Sequence, residues 1–553
     1  MSPARILILL TLLSGVPFLN QAFHIDDRIY LEFARNIDRK PFHPYDYPPV
    51  FEGIEMPDAA SHSRLPLTAY YLAVIRALSP TEREWAIHLA FLLFPLLAVT
   101  AFYDLARSFV DRPFPATLLF LGAPAFGVLS QTIMTDVAML AFWLLTLSRF
   151  VRICRGSPCI SDRFVLLLSL AAASFISLLS AGLLLLMGAY LLAGGGEKNA
   201  AGRGFWTLVF LLPLLLWSGW YGKQWLHYDR FVLIDTMLHV GKRESFQWGV
   251  MTAKAASFAV NAGGAFLAPL VLWYGFPGRR KWLAGLTAGL AAWAVFRFFI
   301  PEWTGFYALL LGVFVGSGTV LLAAFVQLLI QPRSPEDRLL ALWFLGIFAS
   351  CLILFYSGSV RYALPALPPV ILLWVRNLES RVSETYFLRN LLWAGVLATF
   401  LYAIPIRHAD YRFAGMYRDA AAEIAADYGS AENAIWFTGE WGFRYYMERE
   451  GGLLLTRTGV GPAPGDVIVK PFVASPWVTL YDGAPHSRLL EQRIPAMGTP
   501  LRILDFSSHA GFYSTGWGIL PISWNSGEPA EWFNVFQVLR PYDGPVPEPE
   551  RHW

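Results

Sequence analysis

Apolar residues in this chain fall in long, nearly uninterrupted blocks separated by short polar joints. Blocks long enough to cross a bilayer recur at 4–22, 85–106, 114–131, 136–152, 164–194, 205–222, 251–275, 282–300, 304–330, 339–356, 361–377 and 390–405, against the roughly 20 residues that a transmembrane helix needs. The block 164–194 holds 31 residues without a charge. That is far too long for one helix, and Ser174, Ser177 and Ser180 offer a turn in its middle, so two helices are expected there and about thirteen in all. Residues 4–22 read as an uncleaved first helix, because no small-x-small cleavage pattern precedes Asp26. Residues 23–84 then form a large loop. Within it, Leu65–Leu78 is bounded by Arg64 and interrupted by Arg76, which fits a helix lying in the interface.

After residue 405 the pattern changes. Met416–Tyr428 has a helical apolar period, Ala434–Thr438 is strand-like and leads through Gly439 into a short helical stretch, and Val467–Val469 and Phe533–Leu539 alternate as strands do. The expected fold is therefore a polytopic α-helical membrane domain over 1–405 and a C-terminal soluble α/β domain over 406–553, with a loose Pro-rich end after Pro541.

Composition agrees: 56% of the residues are hydrophobic and 15% are charged, where a soluble chain has about 25% charged. The Lys and Arg residues set an orientation. Arg107, Arg112, Arg149, Arg152, Arg155, Arg163, Lys198, Arg203, Arg279, Arg280, Lys281, Arg333, Arg338, Arg376, Arg381 and Arg389 fall on one side, and the short joints near 132–135, 301–303 and 357–360 carry none. The N-terminus is thus expected in the cytoplasm, with the large first loop and the C-terminal domain outside it. A net charge of +3 and the lack of a basic stripe give no sign of nucleic-acid binding. The three cysteines form no disulfide framework, and Cys154 and Cys159 have no second pair with which to bind metal.

The candidate chemistry lies on the outer face. Asp26 and Asp27 follow the first span directly, and a carboxylate there suits a general base that takes a proton from an attacking hydroxyl or amine. Asp136 stands at the outer start of a span, where it would also cap the first turn. Arg361 and Tyr362 open another span, and a guanidinium fork pairs well with phosphate. His62 and Arg64 sit just before the interfacial helix, and Tyr30, Tyr70 and Tyr71 are near the same surface. Each residue also has a plain structural reading, as a helix cap, a snorkelling arginine or an interface aromatic. Their joint placement on one face favours a transferase acting on a phosphate-linked lipid.

The ordered blocks Asp26-Asp27 with Tyr30, Arg64-Leu-Pro-Leu with Tyr70-Tyr71, Thr135-Asp136-Val-Ala-Met-Leu, and Arg361-Tyr362-Ala-Leu-Pro resemble those of the GT-C membrane glycosyltransferases. The resemblance is to the bacterial relatives of protein O-mannosyltransferases and of the lipid A aminoarabinose transferase in particular. It implies a glycosyltransferase in a bacterial inner membrane that moves a sugar, with inversion, from a polyprenyl-phosphate-linked donor to an extracytoplasmic acceptor (lipid, glycan or protein). Asp26 matches the base, Arg64 and Arg361 match residues near the donor phosphate, and Asp136 matches the second acid. Asp27, Leu65 and Ala138 depart from the family's usual Glu and two prolines. No cofactor is fixed by the resemblance, and a divalent cation is left open. The competing reading is a flippase or transporter of lipid-linked glycans; against it, the charges cluster at one face rather than at mid-membrane. A third is a non-catalytic assembly or sensor protein built around the tail.

Overall fold

A computed structural model describes the chain apart from residues 1, 52, 61–64, 80, 157–158, 197–201, 236–246, 301, 383–384, 430–432, 457–460, 475–486, 526 and 541–553. His62, Arg64 and the Pro-rich end therefore lie outside the described residues.

Every apolar block of the sequence falls on helix. Among the described residues six helices are long and apolar enough to cross a membrane: Glu84–Ala106, Thr135–Cys154, Arg203–Tyr228, Arg279–Phe299, Gly305–Ile330 and Tyr386–Tyr428, or seven if the bent pair Trp248–Ala265 and Pro269–Gly275 is one span. Shorter apolar helices cover the remaining blocks, several of them broken for reasons visible in the sequence. The block 164–194 splits at Ser177, which is extended and whose hydroxyl accepts the N–H of Leu179 at 3.2 Å. Ser180 donates to the Ala173 carbonyl at 2.9 Å across the break. The pair at 248–275 bends by 97°, with Pro269 starting the second arm. The block 361–377 is a short helix Val360–Ala363, a 3-10 turn and a helix Leu367–Glu379; Pro365, Pro368 and Pro369 supply no backbone N–H to join them into one ladder.

Small residues let some helices approach closely. A Cβ on Gly289 would stand 2.5 Å from the Gly312 carbonyl oxygen, and one on Gly285 2.9 Å from that of Gly316, so Arg279–Phe299 and Gly305–Ile330 touch backbone to backbone.

The first loop is ordered around the amphipathic helix Asp27–Arg39, followed by a two-strand hairpin of Val50–Phe51 and Ile54–Glu55 and the helix Leu67–Leu78. The C-terminal segment forms a mixed five-stranded sheet in the order Leu453–Leu454, Ile435–Phe437, Val467–Pro471, Phe533–Val538, Ser487–Arg493, with the helix Trp441–Arg449 between its first two strands in sequence. The first three strands in that order pair in parallel and the others antiparallel.

The sequence boundary at 405 falls inside one continuous helix of 44 residues, Thr385–Tyr428, with Pro405 within it. The C-terminal segment also does not hang free of the loop. Arg28 and Glu440 pair at 3.1 Å, Tyr446 accepts the N–H of Phe23 at 2.9 Å, and Arg444 reaches the Val50 carbonyl at 2.6 Å.

Candidate active site

Asp26 is placed by its neighbours in sequence. It precedes the first turn of Asp27–Arg39, where its carbonyl accepts the N–H of Ile29 at 2.9 Å. The residue before it, Ile25, is buried and has φ +51°. That left-handed conformation is rare for a β-branched side chain and costs about 1–2 kcal/mol. Packing of Ile25 in the core holds the turn, and the Asp26 carboxylate emerges 30% exposed.

Arg361 comes to it from the far end of the chain. Its Nη1 donates to Asp26 Oδ2 at 2.7 Å, and its Nη2 lies 3.6 Å from Asp136 Oδ2. The arginine is 6% exposed and Asp136 14%, so one guanidinium lies between two carboxylates at the edge of the buried region. Asp136 is in the first turn of Thr135–Cys154, and Tyr30 and Thr135 share a hydrogen bond of 3.2 Å between their hydroxyls. Tyr362 stacks on Phe355 with ring centres 4.3 Å apart and meets Tyr356 edge-on. Asp26, Tyr30, Asp136, Arg361 and Tyr362 are thus brought together, from three separate parts of the chain.

Asp27, expected as a second catalytic carboxylate, occupies a different place. It is fully buried, its Oδ2 accepts the N–H of His24 at 3.1 Å and its Oδ1 that of Ile133 at 3.0 Å. This carboxylate ties the loop before Asp26 to the turn before Asp136, so its geometry is that of a strut. The cause is helical: consecutive residues point about 100° apart, so only one of the pair faces the opening.

Three groups that the sequence did not single out complete the site. His24 is fully buried, with Nε2 3.1 Å from Asp410 Oδ1 and 3.3 Å from the Tyr513 hydroxyl, which itself donates to Asp410 at 2.9 Å. Burial works against a charge on this ring, but Asp410 and Asp27 on either side outweigh it and push the imidazole up to about 10. The second group is Lys254, 4% exposed, whose amine donates to the Leu352 carbonyl at 3.3 Å. A Cβ on Gly358 would stand 2.9 Å from the Lys254 carbonyl oxygen, so the segment leading to Arg361 lies against this lysine's helix. The third is Ser359: its hydroxyl and Arg361 Nε are buried without a hydrogen-bond partner among the described residues. Lys254 had a signal, being the only charge in the block 251–275. Asp410 and Tyr513 had none, because their meaning depends on how the tail docks. Among the described residues no group of three or more His, Cys, Asp or Glu is arranged to hold a metal ion.

Solved structures with similar backbones include ArnT from Cupriavidus metallidurans bound to undecaprenyl phosphate, at 13% identity and TM-score 0.48 over 86% of this chain and 95% of that one. They also include the Archaeoglobus fulgidus oligosaccharyltransferase in complex with zinc and sulfate, at 12% identity and TM-score 0.45 over 85% and 68%. The arabinofuranosyltransferase AftD from Mycobacteria aligns at 16% identity and TM-score 0.36 over 97% and 39%. No curated protein sequence matches. Residues 61–221 match the dolichyl-phosphate-mannose-protein mannosyltransferase family, which bears out over that stretch the resemblance to membrane glycosyltransferases carried by the ordered sequence blocks.

Proposed function

We propose that this protein is an inverting glycosyltransferase that takes a sugar from a polyprenyl-phosphate donor and passes it to an extracytoplasmic acceptor. The observation that carries the reading is the buried guanidinium of Arg361 between Asp26 and Asp136, in a chain whose matched family is named for transfer from a lipid phosphate.

The residues divide the work as follows. The donor phosphodiester carries one negative charge and gains a second on its leaving oxygen as the bond to the sugar breaks, and Arg361 Nε and the Ser359 hydroxyl, both without a hydrogen-bond partner among the described residues, are donors available to it. Lys254 adds a second cation on the helix packed against the same segment. Asp26, the more exposed of the two acids, takes the proton from the acceptor's hydroxyl or amine. The acceptor's lone pair forms the new bond at the anomeric carbon while the carbon–oxygen bond to phosphate breaks, with its electrons leaving on the lipid phosphate. Arg361 couples the two events, because a guanidinium drawn toward phosphate releases Asp26 to act as a base. Arg64 completes the donor-phosphate set proposed from sequence, and His62 beside it is a further substrate-binding residue.

In this reading the chain crosses a bacterial inner membrane about thirteen times, with a cytoplasmic N-terminus and an extracytoplasmic C-terminal domain. The test is transfer in membranes expressing the wild type or Asp26→Asn at equal levels, supplied with a panel of radiolabelled polyprenyl-phosphate sugars. Label that leaves one donor only when Asp26 is intact supports the reading and identifies the sugar. Transfer by Asp26→Asn at the wild-type rate would show that another group is the base.

A further inference from the structure

Two consecutive residues of the C-terminal segment reach both halves of the Asp26–Arg361 pair. Phe512 accepts the N–H of Val360 through its carbonyl at 3.3 Å. Val360 begins the short helix that carries Arg361, so this N–H has no partner within its own helix, and Phe512 supplies one. Tyr513 turns the other way. Its hydroxyl donates to Asp410 at 2.9 Å and stands 3.3 Å from His24 Nε2, with its ring edge-on to the imidazole at 5.4 Å. His24 lies two residues before Asp26, across the left-handed Ile25.

The cluster is closed to solvent. His24 and Asp410 are fully buried and Tyr513 is 1% exposed. Asp410 is also held by Gln21, whose amide donates to its other oxygen at 2.9 Å, and Gln21 accepts from Gln131 at 2.6 Å. The network therefore spans the first loop, the turn before Asp136, the long helix and the tail.

We infer that Phe512-Tyr513 is a positioning clamp for the transfer reaction: the tail sets the distance between Asp26 and Arg361 by holding Val360 on one side and, through Asp410 and His24, the Ile25–Asp26 turn on the other. Neither residue need touch substrate. The inference rests on the reading of Asp26 as the base. It gives the C-terminal segment a part in the chemical step.

The test uses the full chain purified in detergent, with whichever radiolabelled polyprenyl-phosphate sugar of the panel supports transfer by the wild type. Tyr513→Phe keeps the ring and removes the hydroxyl. The expected result is a fall in kcat of about 10-fold or more, the scale on which small displacements of a reacting group act, with the donor KM and the thermal midpoint close to wild type. Combined with Asp26→Asn, Tyr513→Phe should cost nothing further, because a positioning residue has no effect once the group it positions is gone. If Tyr513→Phe fails to accumulate, Asp410→Asn, which keeps the size of the shared acceptor, reads the same split. Wild-type kcat in Tyr513→Phe overturns the clamp while a slowed Asp26→Asn leaves the transferase standing. A loss that adds to Asp26→Asn, or that follows the thermal midpoint, also overturns it, as a structural effect only. Full activity in Asp26→Asn overturns the clamp and the base assignment together.

Discussion

Asp26 and Arg361 stand 335 positions apart in the sequence and meet at 2.7 Å, with Asp136 on the other arm of the same guanidinium at 3.6 Å. A planar fork reaches two carboxylates at once, whereas an ammonium is a point charge. Arg361→Lys should therefore keep the positive charge but lose one of the two contacts and the free Nε. Transfer, measured as kcat/KM for the donor, is expected to fall about 10- to 100-fold, or roughly 1.4–2.8 kcal/mol of transition-state binding. An Arg361→Lys enzyme at wild-type kcat/KM would remove the arginine from the mechanism.

Asp26→Asn and Asp27→Asn should separate cleanly, although the residues are adjacent. Asp27 receives two backbone N–H groups in the protein interior, and an asparagine there turns one donor-facing oxygen into a second donor. The expected cost is about 1–3 kcal/mol of stability, read as a lowered thermal midpoint in detergent. Asp26 makes its contact at the edge, so Asp26→Asn should lower kcat by about 10²- to 10⁴-fold, leaving a measurable residual rate, with the midpoint within a few degrees of wild type. Equal midpoints for the two variants would show that Asp27 is not a strut.

How far the sequence carried depended on the range of the cause. The helical blocks, the break at Ser177 and the helix Leu67–Leu78 followed from apolar length and a serine cluster, all local. Asp26, Asp136 and Arg361 were each legible as charges beside apolar blocks, and their contact with one another is what the structure adds. What was missed is non-local. Asp27 read like Asp26 because a sequence does not show which of two neighbours points inward until Ile133 is packed beside it. His24 carried no signal of its own because its partners Asp410 and Tyr513 lie far away in sequence, and the boundary at 405 was drawn on polarity while the backbone continues as one helix through Tyr428.

The His24 cluster predicts a pH dependence of stability. Its ring faces Asp27, Asp410, the Tyr513 hydroxyl and, more distantly, His88. Folding raises its pKa from 6.5 to about 10, so the folded state holds the proton more tightly than the unfolded chain. The stabilisation is complete below 6.5 and is lost as pH rises from 6.5 through about 10. Thermal midpoints taken across that interval should decline for the wild type. His24→Gln should be less stable at the acidic end and show a flatter profile. A wild-type curve no steeper than that of His24→Gln would mean that the ring is neutral in the folded protein.

Docking of the tail on the first loop depends on one close approach. A Cβ on Gly442 would stand 2.1 Å from the Phe23 carbonyl oxygen and 3.1 Å from His24 Cα; both are backbone atoms, with no side chain to swing away. Gly442→Ala must therefore push the helix Trp441–Arg449 off the loop and weaken the Phe23–Tyr446 and Arg28–Glu440 contacts. About 1–3 kcal/mol of stability is expected to be lost through overpacking, and transfer should fall about 10-fold or more as the Asp26 turn loses its support. Gly415→Ala is the matched control. It lies in the long helix with nothing within 4 Å of the added carbon, so there alanine should be neutral or stabilising by up to about 1 kcal/mol. Midpoints and transfer rates of the two variants, measured side by side, isolate the contact from the general effect of replacing glycine. If both leave transfer at the wild-type rate, the tail is not seated on the loop during catalysis.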